Sequence, residues 1–172
     1  MGLQESSGDL RHGAATGKRR TMSGPDLDTP YRGGFVGQEH HFALTVYFED
    51  TDTAGVVYYA NYLKFMERAR SDMLRAVGVD QAEVLHRGEG AYYVAEANIR
   101  YLKPARLGDD LRVISSVEVV RAVSVLIHQR VMRGEEQLAD AKVTAAFLDA
   151  NGRPQRQPKD WVERFKSIAT GQ

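Results

Sequence analysis

Two carboxylates, Asp50 and Asp52, stand in the run Asp50-Thr51-Asp52-Thr53-Ala54-Gly55, whose small and turn-forming residues make a loop. Helical periodicity begins at about Asn61, so these carboxylates sit near a helix N-terminus. Free N–H groups and the positive end of the helix dipole gather there. Such an end can polarise a carbonyl oxygen and stabilise the charge that develops on it. A carboxylate beside it can act as a nucleophile or as a general base for water. Together they are sufficient to cleave an activated ester such as a thioester, whose carbonyl has little resonance help from sulfur. The same placement also describes a cap or an Asx-turn. Asp50 is expected to satisfy turn N–H groups in this way.

The elements around the loop follow from hydrophobic spacing. In His41–Glu49, Phe42, Leu44, Val46 and Phe48 alternate with His41, Ala43, Thr45 and Tyr47, which predicts a half-buried strand. From Asn61 to Val77, Tyr62, Met66, Ala69, Met73 and Ala76 recur at steps of three and four, widened by Leu63, Phe65 and Leu74. That spacing predicts an amphipathic helix, which Gly78 is placed to end. Four strand-like runs follow, roughly Tyr92–Lys103, Leu111–Val120, Val123–Met132 and Gln137–Leu148. Their short connections predict hairpins between neighbours. A closing helix is expected from Pro158 to about Ile168, anchored by Trp161 and Phe165. The class is α+β: a curved antiparallel sheet of about five strands wrapped round one long central helix, which must bury its stripe on the sheet. The run around Tyr93 and Val94 carries apolar residues on both faces, which predicts an oligomer.

Composition narrows the function classes. A chain of 172 residues is long enough for one domain with a sizeable core. It has no Cys, which excludes a disulfide scaffold, a thiolate zinc site and a cysteine nucleophile, and fits a reducing compartment. Charge is balanced, 23 Lys+Arg against 23 Asp+Glu, with no basic stripe for nucleic acid. No apolar run is long enough to span a bilayer, and no secretory signal is evident at the N-terminus, so the expected compartment is the cytoplasm. Residues 1–38 hold half of the 16 glycines and lack apolar periodicity, which predicts a disordered leader before a domain at 39–172. Lys18-Arg19-Arg20 is expected to be a solvated part of that leader, and Met22 is an alternative start of translation. His40 and His41 have no third ligand nearby, so no metal is expected and both are assigned to a surface or edge strand. His86 and His128 are treated alike.

The stretch from Val46 to Leu63, Val-Tyr-Phe-Glu-Asp-Thr-Asp-Thr-Ala-Gly-Val-Val-Tyr-Tyr-Ala-Asn-Tyr-Leu, resembles the signature of the hot-dog-fold thioesterases. It is most similar to the group of the 4-hydroxybenzoyl-CoA thioesterase and the Tol-Pal-associated (YbgC-type) acyl-CoA thioesterases. Lys64–Arg70 and Tyr101–Asp109 resemble the Tol-Pal branch, and the likeness runs from about Phe42 to Phe165. It implies an acyl-CoA thioesterase that needs no cofactor. Asp52 would be the acid that attacks the thioester or activates water, and the Tyr59 backbone N–H would polarise the carbonyl. Gly55 would let the backbone pass close to the acyl group, Asn61 and Tyr62 would shape the start of the helix, and Val56 and Tyr58 would line the substrate site. The resemblance further implies a homodimer or homotetramer with its site at the subunit interface. Many Tol-Pal-type members carry His where this chain has Tyr59, which leaves a backbone donor but no imidazole. Arg100, Lys103 and Arg106 are candidates for the phosphates of coenzyme A. An enzyme acting on acyl-carrier-protein thioesters, or a non-catalytic acyl-CoA binder or partner at the cell envelope, are the alternatives.

Overall fold

Tyr62, Phe65, Met66, Ala69 and Met73 are all buried along one side of α1 (Asn61–Ala76). An apolar stripe of that length needs a sheet face to cover it. The computed structural model describes residues 29–171. Six strands supply the face: β1 (Gly34–Val36), β2 (Glu39–Thr45), β3 (Ala91–Tyr101), β4 (Asp110–Val120), β5 (Ser124–Arg133) and β6 (Glu136–Leu148). They form one antiparallel sheet in the order β1-β2-β4-β5-β6-β3, and α1 packs on β2, β4 and β5. Two further helices, α2 (Gln81–His86) and α3 (Lys159–Ile168), close the far end of α1 around Met73, Val84, Trp161 and Phe165. Burying each such large side chain contributes roughly 1.5–3 kcal/mol. No helix among the described residues is long and apolar enough to cross a membrane.

The α+β layering follows the sequence, but several details differ. The sheet has six strands, because Gly34–Val36 pairs with β2 inside the stretch assigned to the leader. Residues 1–28 of that leader, including the basic triplet and Met22, lie outside the described residues. The last four strands are not a simple meander: β4, β5 and β6 are, but β3 pairs with β6 and not with β4. The short connection after β3 therefore crosses the layer instead of turning a hairpin. β2 stops at Thr45, and Phe48–Asp50 form a 3-10 turn because the Asp50 carboxylate accepts the Tyr47 N–H at 2.9 Å. Phe48 is consequently 81% exposed. Helix α2 was not expected, although Asp80 caps it by accepting the Glu83 N–H at 3.0 Å. Gly78 ends α1 as expected, at φ +77°. A Cβ there would also collide with Arg164, whose guanidinium donates to the Val77 and Gly78 carbonyls at 2.9 and 3.1 Å.

His40 corrects another expectation. It is fully buried, in an inner strand, with Nε2 3.2 Å from the buried Asp72 carboxylate of α1. Asp72 also accepts the Gly33 N–H at 2.8 Å, with Arg32 and Arg75 at 3.8 and 3.7 Å. Gly33 is required here, since a Cβ would meet the His41 carbonyl and His40 Cε1. Burial lowers the His40 pKa from its usual 6.5, opposed by Asp72, with His41 adding to the lowering. The folded state thus holds His40 neutral where the unfolded chain takes up a proton. Its contribution to stability is present above pH 6.5 and is lost as pH falls below that value. Thermal unfolding should therefore shift to lower temperature from about pH 7.5 to about pH 5.5, and His40→Gln should flatten that dependence in the same calorimetric series.

Candidate active site

The loop before α1 is a small hairpin. Asp52 N–H donates to Val56 O at 2.9 Å, Thr51 bridges Val57, and Tyr58 N–H donates to Asp50 O at 2.9 Å. Gly55 turns its tip at φ +72°, in the left-handed region that favours glycine, and a Cβ there would meet nothing within 4 Å. Its requirement within the chain is conformational. Asn61, buried at the start of α1, ties the loop down by donating its side-chain amide to Asp50 O at 2.9 Å and its N–H to Tyr58 O at 2.8 Å.

Asp52 is exposed on this hairpin. Its Oδ1 accepts the Ala54 N–H at 2.8 Å, so one oxygen forms the Asx-turn while Oδ2 has no hydrogen bond among the described residues. Asp50 serves structure, as anticipated from its position. At the start of α1, Ala60 offers no side-chain cap, and the Tyr59 N–H donates to no group among the described residues. An unanswered N–H at a helix N-terminus is a ready donor for a carbonyl oxygen or an oxyanion.

Aromatic rings surround this donor. Tyr59, 60% exposed, lies 4.7 Å from Tyr58 and 6.2 Å from Tyr101 between centroids. The Tyr101 hydroxyl donates to Tyr59 O at 3.1 Å. Tyr62 points inward, where its hydroxyl accepts the Ala105 N–H at 2.9 Å, and burial raises its pKa. An open cleft lies between Val57, Tyr59, Tyr62, Tyr101, Leu102 and Pro104. Tyr47, Phe48 and Tyr58 are exposed as well.

Asp52, Gly55, Val56, Tyr58, Tyr59, Asn61 and Tyr62 thus share one hairpin and helix start. The three basic candidates are not brought together. Arg106 bridges Val56 beside the loop. Lys103 borders the cleft, but its Nζ is held by Glu136 at 2.5 Å, in a network where Arg133 reaches Asp109 at 2.7 Å. Arg100 pairs in register with Asp140 on the sheet face away from α1. Tyr101 was missed as a site residue; only its aromatic character on the inward face of β3 signalled it.

Tyr62→Phe isolates the role of the inner hydroxyl. It leaves the buried Ala105 N–H without its partner, which costs about 1–3 kcal/mol. Chemical denaturation should show that loss without a change in the slope.

A model of the thioesterase-like superfamily matches residues 46–167. The acyl-CoA thioesterase YbgC of Haemophilus influenzae is 39% identical over 74% of this chain and 94% of its own length. The acyl-CoA thioester hydrolase YbgC of Escherichia coli is 37% identical over 72% of this chain and 92% of its own. Among solved structures, a probable thioesterase from Bartonella henselae superposes with a TM-score of 0.67 at 32% identity, over 70% of this chain and 99% of that one.

Proposed function

The chain belongs to the thioesterase-like superfamily and is a thioester hydrolase, and from that premise we propose that it cleaves acyl-CoA at Asp52 and the start of α1. The observation that carries this reading is the pairing of a free Asp52 Oδ2 with an unanswered Tyr59 N–H on one hairpin and helix start. The N–H polarises the thioester carbonyl and receives the charge that develops on its oxygen. Asp52 then acts in one of two ways. As general base it takes a proton from water, whose oxygen attacks the carbonyl carbon. As nucleophile it forms a mixed anhydride that water opens. In both, the C–S bond breaks, the sulfur leaves with a proton, and the products are a carboxylic acid and free coenzyme A. Arg106, next to Val56, is the cation best placed for a coenzyme A phosphate.

The working form in this reading is an oligomer with its site between copies, in the cytoplasm. The exposed aromatics Tyr47, Phe48, Tyr58 and Tyr59 beside Asp52 support it, because a cluster of that kind needs a cover.

Purified protein mixed with a panel of acyl-CoAs should release free thiol, read with a chromogenic thiol reagent. Asp52→Asn should lower turnover about 10²–10⁴-fold with binding retained. Turnover unchanged by that substitution would remove Asp52 from the chemistry. Saturable acyl-CoA binding with no thiol release from the wild type would make the protein a binder instead.

A further inference from the structure

A second cavity lies far from the Tyr59 cleft, between α1, β3 and β5. Leu74, Val125, Ile127 and Phe165 line its apolar part, while Arg70 and Tyr93 border it. Its volume of about 130 Å³ is close to the roughly 150 Å³ of a cavity that takes up benzene. It therefore suits an aromatic ring or a short chain, not a long acyl tail.

Arg70 is the unusual member. It is half-buried, and of its five N–H donors only one is used: Nη1 donates to Gln129 Oε1 at 2.7 Å. Gln129 is neutral and fully buried, and its amide donates to Met66 O at 3.0 Å and to Ser115 Oγ at 2.9 Å. Arg70 makes no ion pair among the described residues. Glu67, which also borders the cavity, accepts the Ser71 hydroxyl at 2.6 Å. Burial lowers the Arg70 pKa and the nearby Glu67 carboxylate opposes that lowering, but it makes no hydrogen bond to the guanidinium, so four N–H donors are left for an oxygen acceptor that arrives from outside.

Within one chain this cavity is remote from Asp52. It opens beside Tyr93 and Val94, the cleft beside Tyr101 and Leu102. Eight residues of β3 separate these ends, about 26 Å at roughly 3.3 Å each. But β3 is the outer strand of the sheet, with one side unpaired. Glu96 and Arg100 lie on the same sheet face, two residues on either side of Asn98. An antiparallel pairing of two copies about a two-fold axis at Asn98 sets Glu96 against Arg100 twice. Opposite charges directly across strands favour that register over one that opposes like charges. The same register lays the Tyr101–Leu102 end of one copy against the Tyr93–Val94 end of the other. The axis is perpendicular to the sheet, so both α1 helices stay on one side, and each cleft meets the other copy's cavity.

With the site between copies taken from the reading above, we infer that Arg70, in the wall of this cavity, selects compact acyl groups ending in an oxygen acceptor, a carboxylate or a phenol, for the reaction at the other copy's Asp52. The inference rests on Asp52 as the reactive carboxylate.

Two pairs of probes test it, succinyl-CoA against butyryl-CoA and 4-hydroxybenzoyl-CoA against benzoyl-CoA. The wild type should show a higher kcat/KM for the acceptor-bearing member of at least one pair. Arg70→Met should reduce that ratio about tenfold or more, and Arg70→Lys should keep part of it. A wild-type ratio of one or less in both pairs, or a ratio unmoved by Arg70→Met, overturns the role of Arg70. Mixed dimers of Asp52→Asn and Arg70→Met chains, purified through two different tags, separate the geometry. They contain one intact site only if Asp52 and Arg70 act across copies, and then the wild-type ratio returns. A ratio equal to that of Arg70→Met alone rejects the shared site. Asp52→Asn homodimers that remain active on all four probes would refute the Asp52 reading instead, a result distinct from either.

Discussion

Asn61 sits where the chain passes from loop to helix, and its buried amide is committed to the Asp50 carbonyl. That bond fixes the direction in which α1 leaves the loop. Tyr62, the next residue, fixes its depth, because its hydroxyl reaches through the core to the Ala105 N–H. Two adjacent side chains therefore set both the angle and the seating of the helix. The rest follows from that seating: Phe65, Met66, Ala69 and Met73 fall onto the sheet, and the Tyr59 N–H is left without a partner among the described residues at the uncapped end. Breaking either tether would loosen the position of that N–H relative to the loop.

At its far end α1 is tethered by polar contacts as well. Asp72 ties the helix to His40 in β2 and to Gly33 ahead of β1, while Gly78 and Arg164 lock its last turn to α3. The helix thus spans two apolar clusters, one beneath the loop and one beneath α2 and α3. Polar groups are placed where a shift along the sheet would leave them buried without partners, which opposes sliding in a way that apolar contact does not.

Much of this was legible in the residue pattern, and the failures share a cause. Periodicity of two or of three to four reports which face a residue occupies, so α1 and β4 to β6 were read nearly to their ends. It does not report which strand lies beside which. Hence β3 was placed next to β4, although ten register pairs tie it to β6. His40 and Asp72 were read as surface residues or passed over, since a polar pair becomes buried only through a partner 32 positions away. Phe48 misled through its apolar type, because the neighbouring Asp50 carboxylate redirects the backbone. The site loop was legible for the opposite reason: the hydrogen bonds that close it join residues within about a dozen positions, and only those that seat it against Tyr101 and Ala105 reach further. Arg70 escaped notice because its significance lies in what it lacks, and only the placement of Gln129, 59 residues on, reveals that.

The open side of β3 has a consequence beyond the reaction. An eleven-residue strand with an unpaired edge is ordinarily a seed for fibrils, in which identical segments stack parallel and in register. Here such stacking would place Glu96 over Glu96 and Arg100 over Arg100 along the whole fibril axis, and the irregularity between Val94 and Glu96 would break each rung of the ladder. The strand is thus hostile to endless growth while leaving a closed, two-copy arrangement free of like-charge contact. The charges of Glu96 and Arg100 thus make this edge poor material for amyloid.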